Sequence, residues 1–447
     1  MSGAVPETEL HPSVRKLARR AKAASRRLAT LPRERRDAAL LAAAEALEEH
    51  AAEVVAANER DCLEAARAIA EGRMTAATFK RLQTSEKGVE EMAARVRDVA
   101  ALADPLRRTL AVTELDEGLT LTKISCPLGV VGVVFEARPE VVPQVAALAL
   151  KSGNACLLKG GAEAANTNET LYRLWRAALA RFEDVPADAV VLLRTREEVS
   201  QMLALDEEID LVIPRGSKEF VKHVAANSRV PVLGHGEGVC HVYVDAAADV
   251  RKALAVVIDS KTQYPAACNA AETVLVHEEV ARKFLPGLVA ALNSAGVEVR
   301  ACPRTFELAT TSHGLVPAAE ADWATEYSDM VVSVKTVADF EEALRHIERH
   351  GSRHTESIVT EDAGAAARFL AEVDAAGVYH NASTRFADGF RYGLGAELGI
   401  STAKLHARGP VGLEGLTTYK YLLEGDGHTV ASYSSGERTF KHRRREP

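Results

Sequence analysis

The sequence has few cysteines and arranges no two of them as a CxxC pair. Its six, Cys62, Cys126, Cys156, Cys240, Cys268 and Cys302, are scattered along the chain. That spacing argues against a zinc site or a disulfide framework and for a reducing compartment. No uninterrupted apolar run approaches the roughly 18 residues that span a bilayer. A short apolar stretch near the N-terminus that would read as a secretory signal is missing too. So is an excess of positive charge: 55 Lys and Arg against 63 Asp and Glu leave a net charge of −8, which argues against bulk attraction to nucleic acid or an anionic membrane. No metal site, internal repeat or low-complexity segment is evident. What remains is a chain of 447 residues, 47% hydrophobic and 26% charged, ordinary for a globular protein and long enough for two or three packed units. A cytoplasmic location is expected.

Arg and Lys are dense from Arg15 to Arg36, a composition shared with organelle transit peptides. Val14, Leu17, Ala21 and Leu28 nevertheless recur at helical spacing, with Arg15, Arg19, Lys22 and Arg26 on another face, which predicts a folded amphipathic helix. The helical pattern continues to about residue 104, broken at Leu31-Pro32 and around Glu71-Gly72. Residues 110–115 and 119–124 flank Asp116-Glu117-Gly118 and predict a β-hairpin. A lone hairpin is marginal, so it must pack on something, and a second subunit is the expected partner.

From Gly129 the pattern changes. Strand-like runs at 130–135, 155–158, 189–193 and 211–213 alternate with helical runs at 141–150, 167–180, 200–205 and 218–226. Such alternation predicts a parallel α/β sheet with ligands at the strand C-termini. A second α/β stretch runs from about 245 to 379. The tail from Asn381 is rich in Gly, Thr, Arg and His, and its basic end, 441–445, is expected to be solvated.

Chemistry gathers at four places. Cys268 sits in a proline-started loop of small residues, Gln263-Tyr264-Pro265-Ala266-Ala267-Cys268-Asn269, just before a strand-like run. Such a thiol can be reachable and held in place, as a covalent nucleophile must be, with its own backbone N–H available to an oxyanion. Taken alone, it is more often a buried structural cysteine. Lys159-Gly160-Gly161 stands at one strand C-terminus. Arg215-Gly216-Ser217 stands at another and opens a helix whose N–H groups could receive a phosphate. Glu326 precedes Tyr327-Ser328-Asp329 and a strand. Alone, each of these reads as readily as a turn or a solvated side chain.

Together and in this order they resemble the aldehyde dehydrogenase superfamily. That resemblance implies Cys268 as the nucleophile, Lys159 on the adenosine ribose, Gly216 and Ser217 at the pyrophosphate, and Glu326 on the nicotinamide ribose. The segments 132–140, 234–238, 351–356, 381–386, 405–410 and 417–420 are similar to one branch, the γ-glutamyl phosphate reductases. The implied fold is α/β and aldehyde dehydrogenase-like. A Rossmann-like cofactor domain (1–109 with 129–244 and about 380–398) is joined by an α/β catalytic domain (245–379). A β-hairpin oligomerisation arm (110–128 with about 399–430) and a basic tail (431–447) complete it.

Departures from the hydrolytic members sharpen the expectation. Their water-activating Glu falls at Gly234 here, which cannot act as a base, and Glu237 nearby is either a loop carboxylate or part of the site. An acyl-phosphate reductase has no use for that base, because water would waste its thioester. The oxyanion-binding Asn of hydrolytic relatives is replaced within Ala137-Arg138-Pro139. Arg138 is either a bidentate grip on phosphate or on the substrate α-carboxylate, or a structural salt bridge. Where NAD-preferring relatives carry a Glu after the ribose lysine, this chain has Ala162, which favours NADPH, unless Glu163 takes that place. In the tail, the resemblance selects Asn381 and Arg385 as substrate contacts. The expected reaction is the NADPH-dependent reduction of L-glutamyl 5-phosphate to L-glutamate 5-semialdehyde, as part of proline biosynthesis. A homo-oligomer, at least a dimer, is expected. Glutamate 5-kinase, for which the sequence shows no domain, is the expected transient partner. A hydrolytic or CoA-acylating relative and a catalytically silent scaffold are the alternatives.

Overall fold

The computed structural model describes residues 13–216, 218–234, 237–309 and 314–446. The basic N-terminal run is the helix Val14–Leu28, capped by Ser13 Oγ accepting from Lys16 N, with Val14, Ala18, Ala21, Ala24 and Leu28 buried. Its cationic face is held rather than idle: Arg15 and Arg19 both reach Glu208, at 3.1 and 3.2 Å. The next helix, Arg33–Glu49, starts after Pro32, which has no N–H to lose at a helix entrance. The helix Ala51–Ala70 stops where Gly72 takes a positive φ of 70°, a conformation costly for a residue with a Cβ. Both expected breaks are therefore real.

Contacts divide the chain into two units. The first comprises Met1–Leu233, Gly395–Leu398 and Gly412–Pro447; the second comprises Gly234–Leu394 and Gly399–Val411. In the first, four parallel strands lie in the order Val190–Leu192, Ala155–Lys159, Val130–Phe135, Leu211–Arg215. The chain runs outward in one direction and then returns to the other side, so the switch point falls between Phe135 and Arg215, where open sheets bind ligands. The crossover helix Val141–Lys151 is buried at every residue but Gln144, and its last residue, Lys151, is held by Asp37 at 2.6 Å.

The helix expected at 200–205 instead spans Arg196–Met202. Thr195 and Glu198 form a reciprocal capping box, Glu198 N donating to Thr195 Oγ1 at 3.2 Å and Thr195 N to Glu198 Oε2 at 2.7 Å. This Thr-x-x-Glu signal fixes the start four residues earlier than hydrophobic periodicity alone suggested.

The first unit also carries the hairpin, Thr109–Asp116 against Leu119–Pro127, turning at Gly118 with φ 75°. Thr417–Glu424 adds to one side and Arg443–Arg445 to the other, making a four-stranded antiparallel sheet. The basic end is thus no free tail. Its residues remain exposed, but Arg445 meets Glu114 at 2.6 Å and Lys441 meets Asp116 at 3.3 Å, acidic partners that the hairpin sequence supplies.

The second unit is built on seven parallel strands, in the order Leu315–Pro317, Glu298–Ala301, Val331–Val337, Ala271–His277, Cys240–Val244, Thr355–Val359, Gly377–His380. One face is sealed by Phe284, Leu285, Leu288 and Leu292 of the helix Glu278–Ser294. Residues 381–394 lie in this unit, whereas the sequence reading put 380–398 with the cofactor domain. The link is local: Ser357 Oγ donates to Ala382 O at 2.7 Å and Asn381 N to Ile358 O at 2.8 Å. Residues 399–411, read as part of the arm, lie there as well.

Candidate active site

In the first unit, a cavity of about 730 Å³ opens at the switch point, walled by Phe135, Glu136, Lys159, Glu163, Arg196 and Phe220 among others. Lys159 ends its strand, 6% exposed, and its ammonium donates to Gly160 O. Burial lowers its pKa, partly offset by nearby Glu163, while Arg196 adds to the lowering as a second cation close by. Glu163 turns one oxygen to the backbone, accepting from Ala137 N at 2.6 Å. A Cβ on Gly161 would lie 1.9 Å from that carboxylate, so the second glycine of Lys-Gly-Gly is what admits Glu163. Gly216 plays a similar part after Leu211–Arg215, two strands away, where a Cβ would come within 2.8 Å of Glu136 Oε2. Ser217 lies outside the described residues. Arg138 is 40% exposed and 4.0 Å from Glu140 Oε1, a loose contact.

Two cations, a hydrophobic wall and a volume in the usual range for a cofactor pocket suit a dinucleotide carrying extra phosphate. Sequence reasoning found Lys159 and missed Arg196. The available signal was its position at the start of the capped helix that follows a sheet strand.

In the second unit, three loops feeding adjacent strands meet at the N-terminal edge of the sheet. Cys268 precedes Ala271–His277, Gly238 precedes Cys240–Val244, and His354 precedes Thr355–Val359. The Cys268 loop is pinned on both sides. Asn269 Nδ2 donates to Ala387 O at 2.7 Å, and Cys240 Sγ donates to Cys268 O at 3.3 Å. Val239 N donates to Ser352 Oγ at 2.9 Å, tying the middle loop to the third. His354 is fully buried, with Nε2 3.1 Å from Cys268 Sγ and Nδ1 2.9 Å from Thr355 Oγ1. The thiol itself is partly exposed.

Arg385 approaches the same loop. Its Nε donates to Gln263 Oε1 at 2.9 Å and its guanidinium lies 5.9 Å from the Tyr264 ring centre. Burial and the charge of Arg391 lower its pKa, while the Cys268 thiol opposes them. Asn381 is differently engaged: at φ 53°, its Oδ1 accepts from Thr360 N and its Nδ2 donates to Thr360 O, both at 3.0 Å. That amide shapes the turn leading to Arg385. Glu326 is half-buried. Glu272 is pushed up to about 7 by burial, with Lys261 opposing the shift and the Glu326 charge reinforcing it. Lys261 and Glu272 form a fully buried ion pair at 2.6 Å.

Residues 5–307 match the model of the aldehyde dehydrogenase family. The chain belongs to this family. Among aldehyde dehydrogenase relatives, the γ-glutamyl phosphate reductase of Synechococcus sp. (strain JA-3-3Ab) is 53% identical over 426 residues, covering 95% of this chain and 93% of its own. The γ-glutamyl phosphate reductase of Natronomonas pharaonis is 49% identical over 94% of this chain and 95% of its own. The crystal structure of γ-glutamyl phosphate reductase from Thermotoga maritima superposes with a TM-score of 0.89 at 40% identity, covering 94% of this chain and all of that one. An acetylating aldehyde dehydrogenase from Geobacillus thermoglucosidasius shares the fold at 19% identity, with a TM-score of 0.63 over 93% of this chain and 97% of its own. The aldehyde dehydrogenase fold read from the sequence is thus the observed one.

Proposed function

We infer that the protein reduces L-glutamyl 5-phosphate to L-glutamate 5-semialdehyde with NADPH, releasing phosphate, in the proline route. The observation that carries this is the match to γ-glutamyl phosphate reductases over 95% of the chain at 53% identity. The chemistry on the page agrees with it. Cys268 is the nucleophile: its sulfur attacks the γ-carbonyl, phosphate departs, and a thioester forms on the protein. The Cys268 backbone N–H donates to the oxygen as it gains charge. NADPH, when bound, supplies hydride to the thioester carbon, and the resulting thiohemiacetal collapses to the aldehyde. Lys159 and Arg196 would hold the cofactor's ribose and phosphate groups, Gly216 and Ser217 would receive its pyrophosphate, and Glu326 would hold the second ribose. Arg385, held by Gln263, takes a substrate carboxylate with Asn381 beside it in the same segment, and Arg138, loosely held, meets the phosphoryl group.

The hairpin sheet supports a homo-oligomer. Thr417–Glu424 is an edge strand with Tyr419, Tyr421 and Leu423 half or more exposed, a surface that soluble proteins cover by pairing. No helix among the described residues is long and apolar enough to cross a membrane, and a cytoplasmic site of action fits a labile acyl-phosphate substrate handed over from glutamate 5-kinase.

The test runs the reaction backwards: NADPH formation from glutamate 5-semialdehyde and NADP, with and without inorganic phosphate. Strict phosphate dependence is expected. Robust turnover without phosphate would mean that water resolves the thioester, and a hydrolytic dehydrogenase would replace this reading. CoA-dependent turnover would select the acylating branch instead.

A further inference from the structure

We propose that His354 is a catalytic proton carrier for Cys268, its Nε2 taking the thiol proton as the sulfur attacks the acyl phosphate. The inference rests on Cys268 being the nucleophile. It starts from geometry: Nε2 lies 3.1 Å from Sγ, and the imidazole is fully buried while the thiol keeps access to its surroundings. A buried ring aimed at a sulfur is oriented by whatever holds its other nitrogen. Here Nδ1 is 2.9 Å from Thr355 Oγ1. A hydroxyl oxygen there can accept from Nδ1–H in both states of the pair, the neutral imidazole beside the thiol and the imidazolium beside the thiolate. With Nδ1 as donor, Nε2 of the neutral ring is the acceptor that the S–H needs.

Topology explains why these two residues meet. They precede strands that are next-nearest neighbours in the sheet, with Cys240–Val244 between them. The loop before that central strand passes the thiol loop at Gly238, where a Cβ would sit 1.8 Å from Cys268 O. Ser352 and Val239 tie the loop of His354 to that of Gly238.

The step balances as written. The Sγ–C bond forms and the bond from carbon to the phosphoryl oxygen breaks, its electron pair leaving on phosphate. The proton moves from Sγ to Nε2 and from the imidazolium to the departing phosphate. No oxidation occurs in this step, and the thiolate freed later, with the aldehyde, regains a proton from solvent.

Arg385 faces the thiol and favours the thiolate, and Cys240 lies beside it on the neighbouring strand. Behind Cys240 stand Glu356 and Glu272, whose charges keep its own thiol protonated in addition to burial. All four are unchanged in His354→Gln, so the difference between variant and parent isolates His354.

The experiment measures the rate at which iodoacetamide alkylates Cys268, without substrate, across pH in the parent enzyme and in His354→Gln. Glutamine keeps a hydrogen-bonding side chain but carries no proton. In the parent, alkylation should rise with pH well below the range near 8.5 of a free thiol. In the variant the profile should move up toward that range, with alkylation near neutrality slowed at least tenfold. Turnover should fall on the order of a hundredfold, with NADPH affinity unchanged. Superimposable alkylation profiles would overturn the proposal, because a merely structural histidine leaves the thiol's titration alone. If His354→Gln does not fold, the parent decides. The His354 imidazole by nitrogen NMR and the thiolate by ultraviolet absorbance should titrate together, and independent titrations would overturn the pairing. Cys268→Ser separates the two readings. If it stays active, the nucleophile assignment fails; if it is inactive while His354→Gln matches the parent, only the role of His354 fails.

Discussion

Gly238 lies against the carbonyl of Cys268 so closely that a Cβ would stand 1.8 Å from that oxygen and 2.7 Å from the Cys268 Cα. Both atoms are backbone, so no side chain can swing aside to make room. Gly238→Ala must push the Cys268 loop away from the sheet edge. A misplacement of about 1 Å costs on the order of a hundredfold in rate. Turnover should fall by at least that, with NADPH affinity largely retained because Lys159 and Arg196, proposed to hold the cofactor's ribose and phosphate groups, lie in the other unit. Unchanged turnover would show that the loop has slack that this packing does not suggest.

Arg196 and Lys159 line one cavity with Glu163, one of whose oxygens is taken by Ala137 N. Arg196→Ala should raise the KM for NADPH by roughly tenfold to a hundredfold, the scale of one hydrogen bond to a charged group, and leave NADH nearly unaffected. Equal losses with both cofactors would move Arg196 to the pyrophosphate.

The buried pair Lys261–Glu272 makes a stability prediction. Glu272→Gln leaves the Lys261 ammonium without its carboxylate in a site with no exposure. Loss of one partner from a buried pair costs about 3–5 kcal/mol, whereas replacing both with apolar residues is often near neutral. Denaturant melts should therefore show a large loss in Glu272→Gln and recovery in a Lys261→Met, Glu272→Leu double variant. Similar losses in both would mean that the charges are not what holds this part of the sheet.

His346 sets an acid limb. Burial, with His241 and Lys335 adding to it, pushes the imidazole down to about 2, and Lys335 Nζ donates to its Nδ1 at 3.3 Å. The unfolded chain takes up this proton below about 6.5, and the folded chain does so only near 2. The stability due to His346 is therefore complete above about 6.5 and declines as pH falls, by up to about 1.4 kcal/mol per unit. His346→Phe keeps a ring against Trp323 and His241 and removes that proton. Its melting temperature should fall less than the parent's between pH 7 and 5; parallel curves would assign the acid limb to other groups.

Local patterns carried far into this fold, and non-local meetings did not. The hairpin was legible because alternation and Asp-Glu-Gly act within a few residues, and the strands ending at Lys159 and Arg215 because buried parallel strands are short apolar runs. Cys268 was legible from its loop once Lys159 and Glu326 stood beside it in the right order. His354 lay in plain view within Gly351-Ser352-Arg353-His354-Thr355-Glu356. Nothing along the chain says that a residue 86 positions from Cys268 returns to its sulfur, since strand order decides that. The pairing of the basic end was hidden for the same reason: Arg443–Arg445 is exposed as expected, but it forms a strand against the hairpin far upstream, where Glu114 meets Arg445 and Asp116 meets Lys441. The resemblance selected Asn381 as a substrate contact, but it could not tell that the amide also bonds the backbone of Thr360, 21 positions away.

The edge of Thr417–Glu424 that no strand among the described residues pairs ties thermal behaviour to mass action. If folding and association share this strand, the melting temperature rises with protein concentration and falls on dilution. Assay stocks at nanomolar enzyme would then lose activity for reasons unrelated to the thiol, and comparisons between variants hold only at matched concentration.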